Sequence, residues 1–240
     1  MLVNLEHSFV RRFCKDKDAL VAGCASFDVF CQNIEKQAAI RYPILGNESE
    51  EVLNLLLGKI DKYKGDCFEL FVEAMIRLFP CDKRIIVDPR RPNGDDVIEN
   101  YHAGPGNRED IGVDGFGVSA RNKKPFTVQC KYRKEYQKIN GKSVPVELSA
   151  NNDHLTNFTS SSMLHYGVDP KPDPQTGKCN MVIITSASLL NWHTDKEMFG
   201  EMVYVFCRKN IQAMVDKSDT FWESFPASCE SSLEQLRNKE

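Results

Sequence analysis

Three polar side chains interrupt stretches that otherwise have the pattern of buried strands, and a fourth lies on the helix before them. In FTVQCKYRK, residues 126–134, strand alternation turns Phe126, Val128, Cys130 and Tyr132 one way and Thr127, Gln129, Lys131 and Arg133 the other. In GVDGFG, Asp114 lies among Gly112, Gly115 and Gly117, which leave room for another molecule to approach the backbone. In KGDCFELFVEAMIRLF, residues 64–79, Phe68, Phe71, Val72, Met75, Ile76 and Phe79 recur at helical spacing and put Glu69 at the edge of a narrow polar strip. If that helix packs over the strands, two carboxylates, an amide and an ammonium converge on one pocket. Oxygen ligands from Asp114 and Glu69, completed by the Gln129 carbonyl or a backbone carbonyl, suit Mg²⁺ (or Mn²⁺). Such an ion would polarise a phosphodiester and lower the pKa of a bound water. Lys131, two residues from Gln129 on the same strand face, would orient that water or offset charge on the phosphate.

Each residue also has a plainer role. Asp66 and Glu69 have the spacing of a capping box, so Glu69 could close a helix N-terminus. Asp114 could be a turn residue, although apolar neighbours make an unpaired carboxylate costly there. Gln129 and Lys131 could be the solvated side of an edge strand.

The elements that must position these groups follow from periodicity and punctuation. Helical spacing runs from Leu5 to about Ile60, including a short amphipathic segment at ESEEVLNLLLGKI, and the longer helix follows. After Pro80, RIIVDP is a short strand, and the Gly-, Pro- and Asn-rich run 90–107 is expected to be an exposed loop. IGVDGFGVSA and FTVQCKY form a hairpin around RNKKP. A polar helix starts near Ala150, NMVIITSA is a buried strand, SLLNWHTDKEMF a short helix, MVYVFC a strand, and helices run from about Arg208. This order predicts an α/β protein with a mixed sheet covered by helices. The expected organisation is a helical extension over 1–62 and a second domain over 63–240.

KGDCFELFVEAMIRLF, GVDG and VQCKYR, in that order on a helix, a strand and a strand, resemble the PD-(D/E)XK nuclease superfamily. Within it they are similar to the Mrr-like restriction endonucleases, whose last motif is Q-x-K. The resemblance spans about residues 63–206 and implies a restriction-endonuclease-like αβββαβ core. It implies Asp114, Gln129 and Lys131 as catalytic residues, with Glu69 an additional acid, and Asp114, Glu69 and Gln129 as metal ligands. Gln129 in place of an acid removes one negative charge from the superfamily pattern.

Charge distribution points to a polyanion independently. Between Arg121 and Lys142 there are eight basic residues and one acid, Glu135, in a chain of net charge −3. Arg121, Lys123, Lys124, Arg133 and Lys134 are expected to form a one-sided patch that contacts DNA phosphates without reading sequence. Asn151 and Asn152, on the polar helix, would add neutral hydrogen bonds. Nine cysteines without a C-x-x-C, mostly inside apolar patterns, favour reduced thiols and give a structural zinc site nothing to build on. No apolar run is long enough to suggest a membrane span, so the expected location is intracellular, in the cytoplasm or wherever the DNA is, in the nucleoid or nucleus. The leading expectation is a Mg²⁺-dependent DNA endonuclease, with a second copy of the chain, as a homodimer, among its expected partners. The alternatives are a non-cleaving nuclease-like DNA-binding module that assists a helicase or recombination partner, and an α/β assembly domain.

Overall fold

The computed structural model describes residues 16–78, 98–103, 112–119, 122–149, 155–174, 177–191, 203–218 and 220–237. Helices α1 (Phe27–Arg41) and α2 (Glu50–Leu78) are followed by strands β1 (Ile98–Ala103), β2 (Gly115–Ser119), β3 (Pro125–Lys131), β4 (Tyr136–Ile139), β5 (Lys142–Pro145) and β6 (Glu147–Ser149). Then come α3 (Leu155–Tyr166), β7 (Met181–Thr185), β8 (Leu189–Asn191), β9 (Tyr204–Phe206), α4 (Arg208–Val215) and α5 (Phe221–Arg237). They form a mixed α/β protein in two compact units, Met1–Leu78 with Gln212–Glu240, and Phe79–Ile211. No helix among the described residues is long and apolar enough to cross a membrane.

The first unit is built on aromatic residues. Ser26 caps α1 by accepting a hydrogen bond from the Val29 N–H at 3.3 Å, and Phe27, Phe30, Cys31, Ile34 and Ala38 form its buried stripe. The helix stops at Tyr42, where the following Pro43 disfavours helical backbone. Phe71 of α2 is the hub of the core. Its ring centroid lies 5.0 Å from those of Phe27 and Phe30 and 5.6 Å from that of Phe225 on α5. Helix α2 runs unbroken where two helices were expected, because nothing between Ile60 and Tyr63 stops it. Asp66 and Glu69 are therefore mid-helix, and the capping-box role for Glu69 is ruled out. Asp66 instead pairs with Lys62 one turn earlier, at 3.3 Å.

The second unit holds a five-stranded sheet of order β1-β2-β3-β7-β9. The pairs β1–β2 and β2–β3 are antiparallel, while β3–β7 and β7–β9 are parallel. Strand β7 is buried along its whole length, as the unbroken apolar run MVII requires of a central strand. Helix α3 covers β3, and Leu155 and Phe158 join Val113, Met181, Ile183 and Val203 in the core.

Four expectations are corrected. Residues 98–103 are strand β1 within the run expected to be loop, paired to β2 through a register shift between Glu99 and His102. The hairpin β4–β5 was not anticipated. Its turn places Asn140 at φ 51° and Gly141 at φ 77°, the left-handed pair that a two-residue hairpin turn requires. Residues 189–191, expected in a helix, are strand β8, paired in parallel with β6. Strand β2 begins at Gly115, which leaves Asp114 just ahead of it. The strand expected at 84–89 and the start of the polar helix at 150–154 lie outside the described residues.

Candidate active site

Asp114 lies against the backbone of β3, the strand that carries Gln129 and Lys131, where β2 gives way to the loop before it. Gly115 pairs with Val128, and the Asp114 N–H donates to the Val128 carbonyl at 2.9 Å. Asp114 Oδ2 then accepts from the Cys130 N–H at 2.6 Å, continuing the ladder one step with a side chain in place of backbone. The carboxylate is thus fixed beside the backbone step that joins Gln129 to Lys131. Gly112 turns the chain just ahead of Asp114. Its φ of 83° is left-handed, and a Cβ there would lie 3.5 Å from Gln129 Nε2 and 3.6 Å from the Phe158 nitrogen in the first turn of α3.

The face of β3 that carries Thr127, Gln129 and Lys131 is not the open polar surface that alternation suggested. Helix α3 lies on it, so Thr127 is fully buried and donates to Ser162 Oγ at 2.8 Å, and Gln129 is 2% exposed. Gln129 Oε1 is buried without a hydrogen-bond partner among the described residues. Only Lys131 and Arg133, at the carboxyl end, are half-exposed.

That end is held by residues that sequence reasoning missed. Thr185 Oγ1 donates to the Lys131 carbonyl at 2.8 Å, and the Ser186 N–H donates to the same oxygen at 3.2 Å. Ser186 Oγ accepts from the Arg133 N–H at 2.6 Å and donates to the Arg133 carbonyl at 2.8 Å, so one side chain substitutes for a strand pair. Buried Arg208, the first residue of α4, donates to the Ser186 carbonyl at 3.3 Å and pairs with Glu135 Oε2 at 3.5 Å. The only sequence signals were the polar Thr185-Ser186 after an apolar run and a single acid, Glu135, in a basic stretch. The carboxyl ends of the parallel strands β3, β7 and β9 meet here, where open α/β sheets commonly bind ligands.

Among the described residues, the basic side chains expected to contact DNA fall into two groups. Lys123, at φ 56°, and Lys124 are exposed in the turn before β3, whereas Arg133 and Lys134 follow it. Seven residues at roughly 3.3 Å each separate the two groups by about 23 Å. Lys124 is also engaged, its Nζ 3.0 Å from Asp169 Oδ2. The Lys171 N–H, the Lys124 hydrogen bond and nearby positive charge hold the Asp169 carboxyl below its usual range. Arg133 donates to the Tyr132 carbonyl at 2.6 Å, and Lys134 is exposed. Arg121, Asn151 and Asn152 lie outside the described residues. Glu69, half-buried on α2, belongs to the first compact unit.

Among the described residues no group of three or more His, Cys, Asp or Glu side chains gathers as a metal site. The donor set in the second unit is a fixed carboxylate and an unpartnered amide oxygen, both hard oxygen donors of the kind Mg²⁺ accepts. The seven described cysteines are free thiols, and Cys130 is buried. No protein-family model, curated protein or solved structure matches the chain.

Proposed function

We propose that the protein is a divalent-metal-dependent endonuclease that hydrolyses DNA phosphodiester bonds on a restriction-endonuclease-like core. The observation that carries this reading is the buried Gln129 Oε1, without a hydrogen-bond partner among the described residues, on the strand whose next backbone N–H, that of Cys130, holds the Asp114 carboxylate. A polar atom withdrawn from water without a partner costs stability, and a ligand accounts for it. The succession of an antiparallel β1–β2–β3 meander, helix α3 and a parallel β7 supports the βββαβ part of the PD-(D/E)XK core.

Asp114 and Gln129 would hold Mg²⁺ or Mn²⁺, which when bound supplies Lewis-acid activation of the phosphodiester and of water. The Cys130 N–H keeps the Asp114 carboxylate oriented against the strand. Lys131, on backbone anchored by Thr185 and Ser186, orients the attacking water and offsets charge building up on the phosphate. Arg133 and Lys134, next along the chain, contact neighbouring backbone phosphates.

The test is cleavage of linear, supercoiled, methylated and four-way-junction DNA with Mg²⁺ or Mn²⁺, compared with Asp114→Asn and Lys131→Ala. Metal-dependent cutting that disappears in both variants is expected. Intact DNA of every kind, or cutting that persists in both variants, rejects the proposal. The hydrogen bond that occupies one Asp114 oxygen favours a second reading, a module that binds DNA without cutting. It predicts salt-sensitive binding that survives Asp114→Asn and needs no divalent ion.

A further inference from the structure

Six of the large apolar side chains that stand exposed among the described residues fall within residues 40–57: Ile40, Ile44, Leu45, Val52, Leu55 and Leu57. The last three lie on the first half of α2, which is largely solvated, whereas from Tyr63 onward the same helix is mostly buried. One stripe of this half has an unusual order. Glu51, Leu55, Gly58 and Lys62 follow one another at spacings of four, three and four, which aligns them along one side of the helix. Leu55 is 58% exposed, the Lys62 side chain is 57% exposed, and no atom lies within 4 Å of where a Cβ on Gly58 would stand. Glycine is disfavoured in a helix interior, and none of the described residues uses the space it leaves.

We propose that this stripe is the contact between two copies of the chain, which pair their α2 helices antiparallel about a two-fold axis. The stripe is its own complement in that arrangement. The axis that brings Glu51 of one copy to Lys62 of the second also brings Leu55 of one copy to Gly58 of the second, and each contact occurs twice. Acidic and basic ends match, and each leucine packs into the gap above a glycine, with Val52 beside it. A helix pair over residues 51–62 is about 17 Å long. Such a short contact makes a weak, reversible dimer. The charge pattern selects a second copy as the occupant, since the stripe is complementary to itself, with the exposed Lys62 side chain leaving its 3.3 Å pair with Asp66 for Glu51 of the second copy.

The test is sedimentation equilibrium of the full chain from about 1 to 200 µM, a range chosen for a dimer of this size. A concentration-dependent dimer is expected, abolished by Leu55→Glu. Glu51→Lys and Lys62→Glu should each weaken it at least about tenfold, because two attractive pairs become two repulsive ones. The double variant E51K/K62E should restore it. Gly58→Leu supplies the readout that separates packing from folding, since it improves helix propensity and should hold or raise the melting temperature while weakening the dimer. A monomer throughout that range overturns the proposal, whether residues 1–15 or another protein covers the stripe. So does a dimer that withstands Leu55→Glu or Gly58→Leu, or one that the double charge exchange does not restore.

Discussion

Replacing Gln129 with methionine should make the metal-free protein more stable while disabling it. Gln129 is 2% exposed and its Oε1 has no hydrogen-bond partner among the described residues. A buried amide oxygen left without a partner costs about 1–3 kcal/mol, and removing it recovers that cost. Methionine is nearly the same length, and a swap that conserves volume adds little strain. The gain should therefore be roughly 1–3 kcal/mol, which for a chain of this size raises the melting temperature by about 2–4 °C per kcal/mol. The same change deletes an oxygen donor, so millimolar Mg²⁺ or Mn²⁺, which should raise the melting temperature of the native protein by binding its folded form, should no longer do so. Calorimetric melting of both proteins, in a chelator and then with metal, reads both effects together. A metal-free melting temperature that falls would mean the amide is satisfied in the fold. A metal-induced rise that survives would remove Gln129 from the ligand set.

Asp114→Asn retains an acceptor for the Cys130 N–H and should melt within about 1 kcal/mol of the native protein, whereas Asp114→Ala leaves that donor unpaired and should cost about 1–3 kcal/mol. Equal losses in urea unfolding would show that the bond contributes nothing to the fold. Phe71→Ala removes the ring on which Phe27, Phe30 and Phe225 converge and should cost about 3–5 kcal/mol, measured the same way. Burial pushes the Cys67 thiol up from its ordinary 9.0 and the Tyr63 phenol up from 10.0, so the folded state holds both protonated while the unfolded chain ionises them. Their contribution is complete below pH 9 and is lost above it, with a slope of up to about 1.4 kcal/mol per pH unit for each group. Urea midpoints taken under reducing conditions at pH 8, 9 and 10 should fall in that order; a flat series would exclude the effect.

The strands β2, β3, β7 and β9 were legible because each carries apolar alternation or an unbroken apolar run between turn residues. The hairpin β4–β5 carried a turn signal, Asn140-Gly141, but β4 is exposed on both faces and β5 is exposed or half-exposed, so no apolar rhythm flanked the turn. Strand β1 was hidden by glycines and prolines around it, and its pairing to β2 is a long-range fact that no local pattern encodes. The candidate residues Asp114, Gln129 and Lys131 were legible as a pattern, but their surroundings were not. Alternation marks Thr127 and Gln129 as polar-facing without saying what they face, and the answer is a helix whose own buried side includes Thr159, Ser161 and Ser162. A seam of polar residues between a strand and a helix has the same sequence signature as a solvated surface. The difference matters for the proposed chemistry. With α3 lying over Thr127, a phosphodiester cannot cross the face of β3 and has to enter at its carboxyl end, past Lys131, Arg133 and Lys134. Thr127→Val, which breaks the 2.8 Å bond to Ser162, should then lower stability by about 1–2 kcal/mol and leave DNA affinity unchanged. Arg133→Ala with Lys134→Ala should do the reverse, weakening binding and flattening its dependence on salt. Affinity that drops with Thr127→Val, measured at fixed salt on folded protein, would mean the DNA reaches the strand face after all.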